Sequence, residues 1–493
     1  MKKITVLLFS LAMAAVTFQS CEDQDDNAVP VNDFIWKGLN AYYLWQADVP
    51  NLADERFGNQ EELNNFLQAY SSPESLFESL LYRQDVLGNK IDRFSVIFPD
   101  FHVLENALQG VAKSNGVEFG LTYVNASDEG LSNVPIFGYV KYIMPDSDAS
   151  GKDIRRGDLF YAVNGVSLTS SNYQSLLNSD NYTLNLATAV DGGIAPNGRS
   201  VALTRTEFSE NPVNTVTTIT RGSHTVGYLM YTGFYSNYDT QLNAAFGELN
   251  SANVTDFVLD LRYNGGGSVR TATYLASMIT GQFGNRLFAK QQWNAKLQAK
   301  YERENPAAIQ NLFASQLSDG AAINSLRLRK VYILTSAATA SASELVINCL
   351  KPYIEVIQIG DKTVGKNVGS VTLYDSPDFS SRGRNGSHTY AMQPIVIKTV
   401  NAQGFGDYTD GIEPSTLNQL KETVRTLGTL GDPNEPLLAK ALSIIAPGGR
   451  YAAPDYSTDF KQFKDPRSTR RFGNEMYIEN TPEGSGSLIK DLQ

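Results

Sequence analysis

A serine in a turn of small residues, a lysine 25 residues further on and three consecutive glycines upstream are the residue types whose spacing could do chemistry in this chain. The serine lies in Thr339-Ala340-Ser341-Ala342-Ser343-Glu344. Before it, Val331-Tyr332-Ile333-Leu334 is a short apolar run that reads as a buried strand. After it, Ala342, Leu345, Val346 and Cys349 fall at the spacing of one buried helix face. Ser341 therefore stands where a strand passes into a helix. The first N–H groups of a helix have no intrahelical partner and their dipole favours negative charge, so the Ala342 N–H could stabilise an oxyanion. The three histidines, His102, His224 and His388, lie in no motif. A lysine held neutral in a dry pocket can activate a serine instead. Lys366, in Thr363-Val364-Gly365-Lys366 after the strand Glu355-Val356-Ile357-Gln358-Ile359, is the candidate.

Each signal has a plainer meaning on its own. A Ser/Ala-rich turn before a helix can be a simple cap, and three glycines after a strand a tight turn. Gly360-Asp361-Lys362-Thr363-Val364-Gly365-Lys366 also matches the G-x-x-x-x-G-K of a phosphate-binding loop. Asn367 stands where the Mg²⁺-binding hydroxyl should be, however, and residues 368–374 alternate like a strand where a helix should begin. The chain has no His-Glu-x-x-His zinc motif and no Gly-x-Ser-x-Gly elbow, and its Ser-x-x-Lys, Ser487 to Lys490, lies in a polar end.

Thr339 to Glu344, followed by Gly365-Lys366, resembles the Ser/Lys centre of the C-terminal processing (tail-specific) peptidases. The resemblance implies Ser341 as nucleophile and Lys366 as general base. The strand Phe257-Val258-Leu259-Asp260-Leu261 running into Arg262-Tyr263-Asn264-Gly265-Gly266-Gly267 resembles the family's second oxyanion wall. It implies that the N–H of Gly266, or else of Gly267, stands beside that of Ala342. The family commonly places a Gln four residues after the lysine to orient its amine. Ser370 stands there and is the candidate orienter.

At 493 residues and 42% hydrophobic content, the chain is long enough for two to four domains. A net charge of −11 argues against nucleic acid as a partner. The basic cluster Lys461, Lys464, Arg467, Arg470 and Arg471 reads as a solvated surface. Lys2 and Lys3 followed by the apolar residues 4–16 read as an export signal too short to span a membrane. Thr17-Phe18-Gln19-Ser20-Cys21 resembles a bacterial lipoprotein signal, with Cys21 as the lipidation site. The implied location is the cell envelope, lipid-anchored on the periplasmic side or the outer surface of the outer membrane. Glu22-Asp23-Gln24-Asp25-Asp26 reads as a tether or resembles a surface-export signal. Cys349, behind the nucleophile, is expected to be unpaired.

The expected class is α/β and multidomain. It comprises a signal peptide (1–21), an acidic tether (22–32), a small N-terminal helical domain (33–102), a β-rich domain (103–209), an α/β protease core (210–447) and a loose tail (448–493). Ser71-Ser72-Pro73-Glu74 has capping-box spacing. Phe119-Gly120-Leu121-Thr122-Tyr123 and Gly157 to Gly165 resemble a PDZ domain, with Gly120 and Leu121 lining its peptide site. The alternative is that this domain only packs against the core. An Asn/Pro/Thr-rich linker is expected from Glu210, and residues 286–329 read as an insertion that could overhang the site. The expected function is an exported serine endopeptidase acting on protein or peptide substrates, with no metal or cofactor implied. The alternatives are a non-catalytic peptide-binding lipoprotein on the same fold, and a Ser/His protease of the tricorn type using His224 or His388.

Overall fold

A computed structural model of the chain describes residues 30–191, 193–447, 451, 454, 460–463, 465 and 473–482. The signal peptide, Cys21, the acidic run and Ser487 to Lys490 lie outside the described residues. Among the described residues, no helix is long and apolar enough to cross a membrane.

The first helix, Pro30–Tyr42, takes in the last three residues assigned to the tether. Asn32 is the reason: it is buried and its Nδ2 donates to the Leu67 carbonyl at 2.9 Å. Helices Gln60–Gln68 and Pro73–Ser79 follow. The second of these is capped one residue later than its sequence suggests, by Ser72 and Ser75 rather than Ser71 and Glu74. Pro73 then takes the first helical position, where its fixed φ fits and its missing N–H costs nothing. These helices share one hydrophobic core with the main body of the molecule. Helix and core approach so closely that a Cβ on Gly38 would lie 2.1 Å from Met392 Cε. Strand Val96–Phe98 completes the attachment by pairing antiparallel with Ala391–Gln393.

Residues 117–204 form a separate antiparallel unit of strands Val117–Tyr123, Ile136–Ile143, Leu159–Val163, Asn181–Val190 and Gly193–Thr204, in that spatial order. A short helix, Tyr173–Leu177, closes its core over Leu121, Phe160 and Leu184. A ribbon of Val111–Ser114 and Thr206–Ser209 connects it to the rest of the chain.

The main body holds a five-stranded sheet in the order Val213–Arg221, His224–Tyr231, Asp256–Asp260, Lys330–Thr335, Glu355–Gly360. The first pair is antiparallel and the others are parallel. Their side chains alternate: Leu229, Leu259 and Ile333 join the core beneath helices Asp239–Ser251, Val269–Thr280 and Ala342–Leu350. Met230, Val258 and Leu334 instead meet helix Pro436–Ile445 on the other face. The strand period of two thus gives each sheet face its own helical cover.

Three expectations are corrected here. The linker from Glu210 is the edge strand Val213–Arg221, because Thr and Val suit a pleated edge and Glu210 is anchored by Tyr142 and Thr232. Residues 286–329 are not a free insertion but supply the last two strands of the sheet that holds Val368–Ser370. Their strand Leu287–Gln292 pairs with Ile395–Asn401, and Asn294 Nδ2 donates to the Ala41 carbonyl. The segment 473–482 is no loose tail: Met476–Tyr477 is a buried strand between Gly267–Ser268 and Val368–Ser370.

Candidate active site

Strand Lys330–Thr335 ends in a turn pinned to the glycine loop. Ser336 Oγ donates to the Arg262 carbonyl, Thr339 Oγ1 to that of Leu261 at 2.9 Å, and the Ala340 N–H to that of Asn264 at 3.1 Å. Ser341 follows with φ +67° and ψ −116°. A side chain rarely adopts this backbone, which costs on the order of 1–3 kcal/mol. It persists because the Ser341 N–H donates to Glu344 Oε2 at 2.7 Å while the Ser341 carbonyl accepts from Leu345 N–H at 2.8 Å. The hydroxyl oxygen is buried and has no hydrogen-bond partner among the described residues. Ala342 opens the helix, as the periodicity predicts, and Cys349 is buried and unpaired.

Lys366 arrives on the loop after Glu355–Gly360. The Gly365 φ of +85° and a would-be Cβ only 2.2 Å from the Thr409 carbonyl require glycine there. The Lys366 N–H donates to Glu344 Oε2 at 2.9 Å and the Gly365 N–H to Oε1 at 2.7 Å, with Thr363 Oγ1 also donating to Oε1. One buried carboxylate thus ties the Ser341 backbone to the Lys366 backbone. Burial pushes the Glu344 pKa up, against the pull of these donors. The same geometry removes the phosphate-loop reading: the loop amides already hold a carboxylate, and a strand, not a helix, follows.

The Lys366 side chain is fully buried, and Nζ lies 2.7 Å from Glu475 Oε2 and 4.4 Å from the centre of the Phe94 ring. Burial lowers its pKa, while the Glu475 carboxylate pulls the other way. Arg93 Nη2 donates to the Gly365 carbonyl at 2.7 Å, so the N-terminal unit supplies one wall of the lysine pocket.

The glycine loop reaches the serine as expected. A Cβ on Gly266 would lie 2.6 Å from Ser341 Cβ and 2.9 Å from its Oγ. Two expected roles are corrected. The Gly266 N–H is engaged by Asn264 Oδ1 at 2.9 Å because Asn264, itself held by the Tyr231 carbonyl, folds back under the loop. Ser370 does not orient the amine: its short hydroxyl donates to the Met476 carbonyl at 3.2 Å, and Glu475 holds Lys366 instead. Neither candidate histidine serves the serine. His224 pairs with Asp256 at 2.7 Å at the start of its strand, whereas Ser341 follows the far end of the parallel strand Lys330–Thr335. His388 pairs with Asp375 at 2.8 Å in a loop against Phe34.

Glu344, Phe94 and Glu475 were not assigned roles from sequence. The Ser-x-x-Glu spacing at 341–344, a capping-box signature, could have revealed Glu344. Nothing in sequence brings Phe94 or Glu475 to Lys366, 109 residues from the latter.

Residues 225–380 match the model of Peptidase family S41, and residues 30–96 match that of the Peptidase S41 N-terminal domain. Residues 225–380 are thus similar to a serine-type peptidase domain of that family. A chloroplastic C-terminal processing peptidase of Tetradesmus obliquus is 27% identical over 237 residues, 45% of this chain and 47% of that protein. A carboxyl-terminal-processing protease of Picosynechococcus sp. is 25% identical over 239 residues, 48% of this chain and 52% of that protein. The chain thus spans about half the length of the curated relatives it matches. The crystal structure of a putative S41 protease from Bacteroides fragilis covers 84% of this chain and 96% of its own, with 26% identity and a TM-score of 0.64. Beside the glycine loop, a cavity of about 580 Å³ runs from Phe119, Tyr173 and Leu177 of the antiparallel unit to Gly266, Gly267 and Glu475.

Proposed function

We propose that this chain is an exported endopeptidase that cleaves protein or peptide chains through a Ser341/Lys366 dyad. The observation that carries this reading is a buried, unpartnered Ser341 Oγ on a strained turn, with the turn and the buried lysine tied to one Glu344 carboxylate. Lys366, when neutral, takes the Ser341 proton as the oxygen attacks the peptide carbonyl. The tetrahedral intermediate expels the amine, which takes that proton, and leaves an acyl-enzyme that water hydrolyses. The Ala342 N–H, at the head of its helix, is one donor for the oxyanion. The second is the N–H of Gly267, or of Gly266 if Asn264 releases it.

The antiparallel unit acts as a PDZ-like module that recruits substrate tails. Its short helix beside strand Val117–Tyr123, and the cavity leading to the glycine loop, support that role. The Lys366–Glu475 ion pair favours a second reading, a non-catalytic peptide-binding protein, because a paired ammonium cannot act as a base.

Cleavage of an unfolded protein with a free apolar C-terminus separates the two. The wild type cuts it, whereas folded Ser341→Ala and Lys366→Ala do not; a wild type that binds the tail and never cuts it is a binding module. We further propose lipidation at Cys21 and a cell-envelope location. Fatty-acid label should enter the wild type in a bacterial host and be absent from Cys21→Ala.

A further inference from the structure

The described C-terminal residues touch two separate places along the path a peptide would take. At the first, they add to the outer edge of strand Val117–Tyr123, the end strand of its sheet. Gln462 bridges Thr122 in antiparallel register, the Phe463 N–H donates to the Leu121 carbonyl, and the Tyr123 N–H donates to that of Lys461, both at 2.9 Å. The Phe463 ring stands edge-on to Tyr123 and Tyr173, Phe460 stands edge-on to Phe137, and Asp465 pairs with Lys141 at 2.9 Å. This is strand addition, with backbone bonds giving affinity and side-chain pockets giving selectivity.

At the second place, Met476–Tyr477 lies between the glycine loop and the strand that follows the lysine. Gly267 pairs with Met476 and Ser370 with Tyr477, and the Ile478 N–H donates to the Ser370 carbonyl at 3.0 Å. The Glu475 carbonyl oxygen lies 2.5 Å from where a Gly266 Cβ would be, beside the Ser341 hydroxyl. The Glu475 carboxylate holds the Lys366 amine. The described residues 460–463 and 465 therefore occupy the peptide edge, and residues 473–482 line the Ser341/Lys366 site.

We propose that residues 460–463 and 465, together with residues 473–482, act as a resident intramolecular competitor, which keeps the peptidase closed until an extended peptide displaces it from the edge of strand Val117–Tyr123. The displacing peptide carries the chemistry of the resident: aromatic residues three apart and a carboxylate two residues further on, as in Phe460, Phe463 and Asp465. Tethering gives the resident an effective concentration on the order of millimolar, so weak or sparse peptides leave the cleft shut. Release of the edge frees the downstream strand, Glu475 leaves Lys366, and the amine turns to Ser341. This proposal rests on the dyad reading for its effect on catalysis, but the displacement itself does not.

The test uses the full mature chain. A serine-directed fluorophosphonate probe measures access to Ser341, and amide hydrogen exchange measures opening at Ile478. Adding a synthetic peptide of the sequence of residues 458–466 to the wild type should accelerate both. In Phe463→Ala, which loses two aromatic contacts, both should be faster without the peptide by roughly tenfold. If neither the peptide nor the substitution changes Ile478 exchange, the segment is a fixed strand of the sheet and the proposal is overturned. If exchange accelerates but Ser341 is never labelled in any form, displacement stands and the dyad reading fails.

Discussion

Lys366 is the residue on which chemistry and pH meet. Burial lowers its pKa below the ordinary lysine value of 10.5, and the Glu475 carboxylate partly restores it. With the neutral amine as the proposed base, kcat/KM should rise with pH through one ionisation centred below 10.5. In Glu475→Gln the restoring charge is gone, so this limb should move to lower pH. A profile of kcat/KM against pH for the two proteins checks both statements, and an unmoved limb would separate Glu475 from the base. The linkage to stability has a fixed sign. The folded state binds fewer protons than the unfolded state between the two lysine pKa values, so Lys366 contributes stability that rises with pH across that window. Burying the amine costs the fold most at low pH.

At the scale of elements, the first turns of helices Asp239–Ser251 and Val269–Thr280 meet through a buried carboxyl. Thr271 Oγ1 donates to Asp239 Oδ1 at 2.6 Å. Burial pushes the Asp239 pKa from 3.8 up to about 6, although Thr271 and Arg270 favour the charged form. The folded state therefore holds this proton more tightly than the unfolded state. The resulting stability is fully present below pH 4 and is lost as pH rises through about 6, with a size on the order of 3 kcal/mol. Chemical denaturation of Asp239→Asn between pH 4 and 7 should show that part of the slope removed. The Ser341 turn is an element-scale product too. Its positive φ is held by three side chain and backbone contacts to the residues before and at the start of the glycine loop, and by the Glu344 cap of its own helix.

Across the whole molecule, a buried charge network fastens the antiparallel unit to the main body. Arg156 reaches Glu422 at 2.7 Å, and Arg262, from the motif before the glycine loop, reaches both Glu422 and Glu435 at 2.7 Å. Burial alone would push the Glu422 pKa up, but the two guanidiniums outweigh it and hold the carboxyl at about 2. Its contribution is present above the ordinary carboxylate value of 4.5 and is lost as pH falls towards 2. Arg156→Met should cost about 3–5 kcal/mol, since removing one partner leaves a buried charge short of its counterion. Thermal unfolding should show the antiparallel unit loosening first, and limited proteolysis should cut the ribbon Val111–Ser114 earlier than in the wild type. A wild-type proteolysis pattern would show that the aromatic packing of Tyr142 on Tyr263 holds the interface without the charge.

Much of this was legible locally. The run Val331 to Leu334, the apolar face from Ala342 and the glycines after Leu261 each state a strand, a helix or a turn within a few residues. Their order gave the α/β core and placed Ser341 at a strand-to-helix junction. The α/β body with a helical N-terminal unit was readable for the same reason, since hydrophobic periodicity is a short-range property. The linker was misread because a Thr-rich edge strand, half exposed, has the composition of a loop. What only the tertiary structure decided are the encounters that carry no periodic trace. Phe94 covers the lysine, Asn264 engages the Gly266 N–H, and Met476 takes the Ser370 hydroxyl. The sequence by itself determined which residues could act as nucleophile and base. The tertiary structure decided that Lys366 meets Glu475 rather than Ser370, because a buried charge is satisfied by whichever counterion the fold delivers, at any distance along the chain.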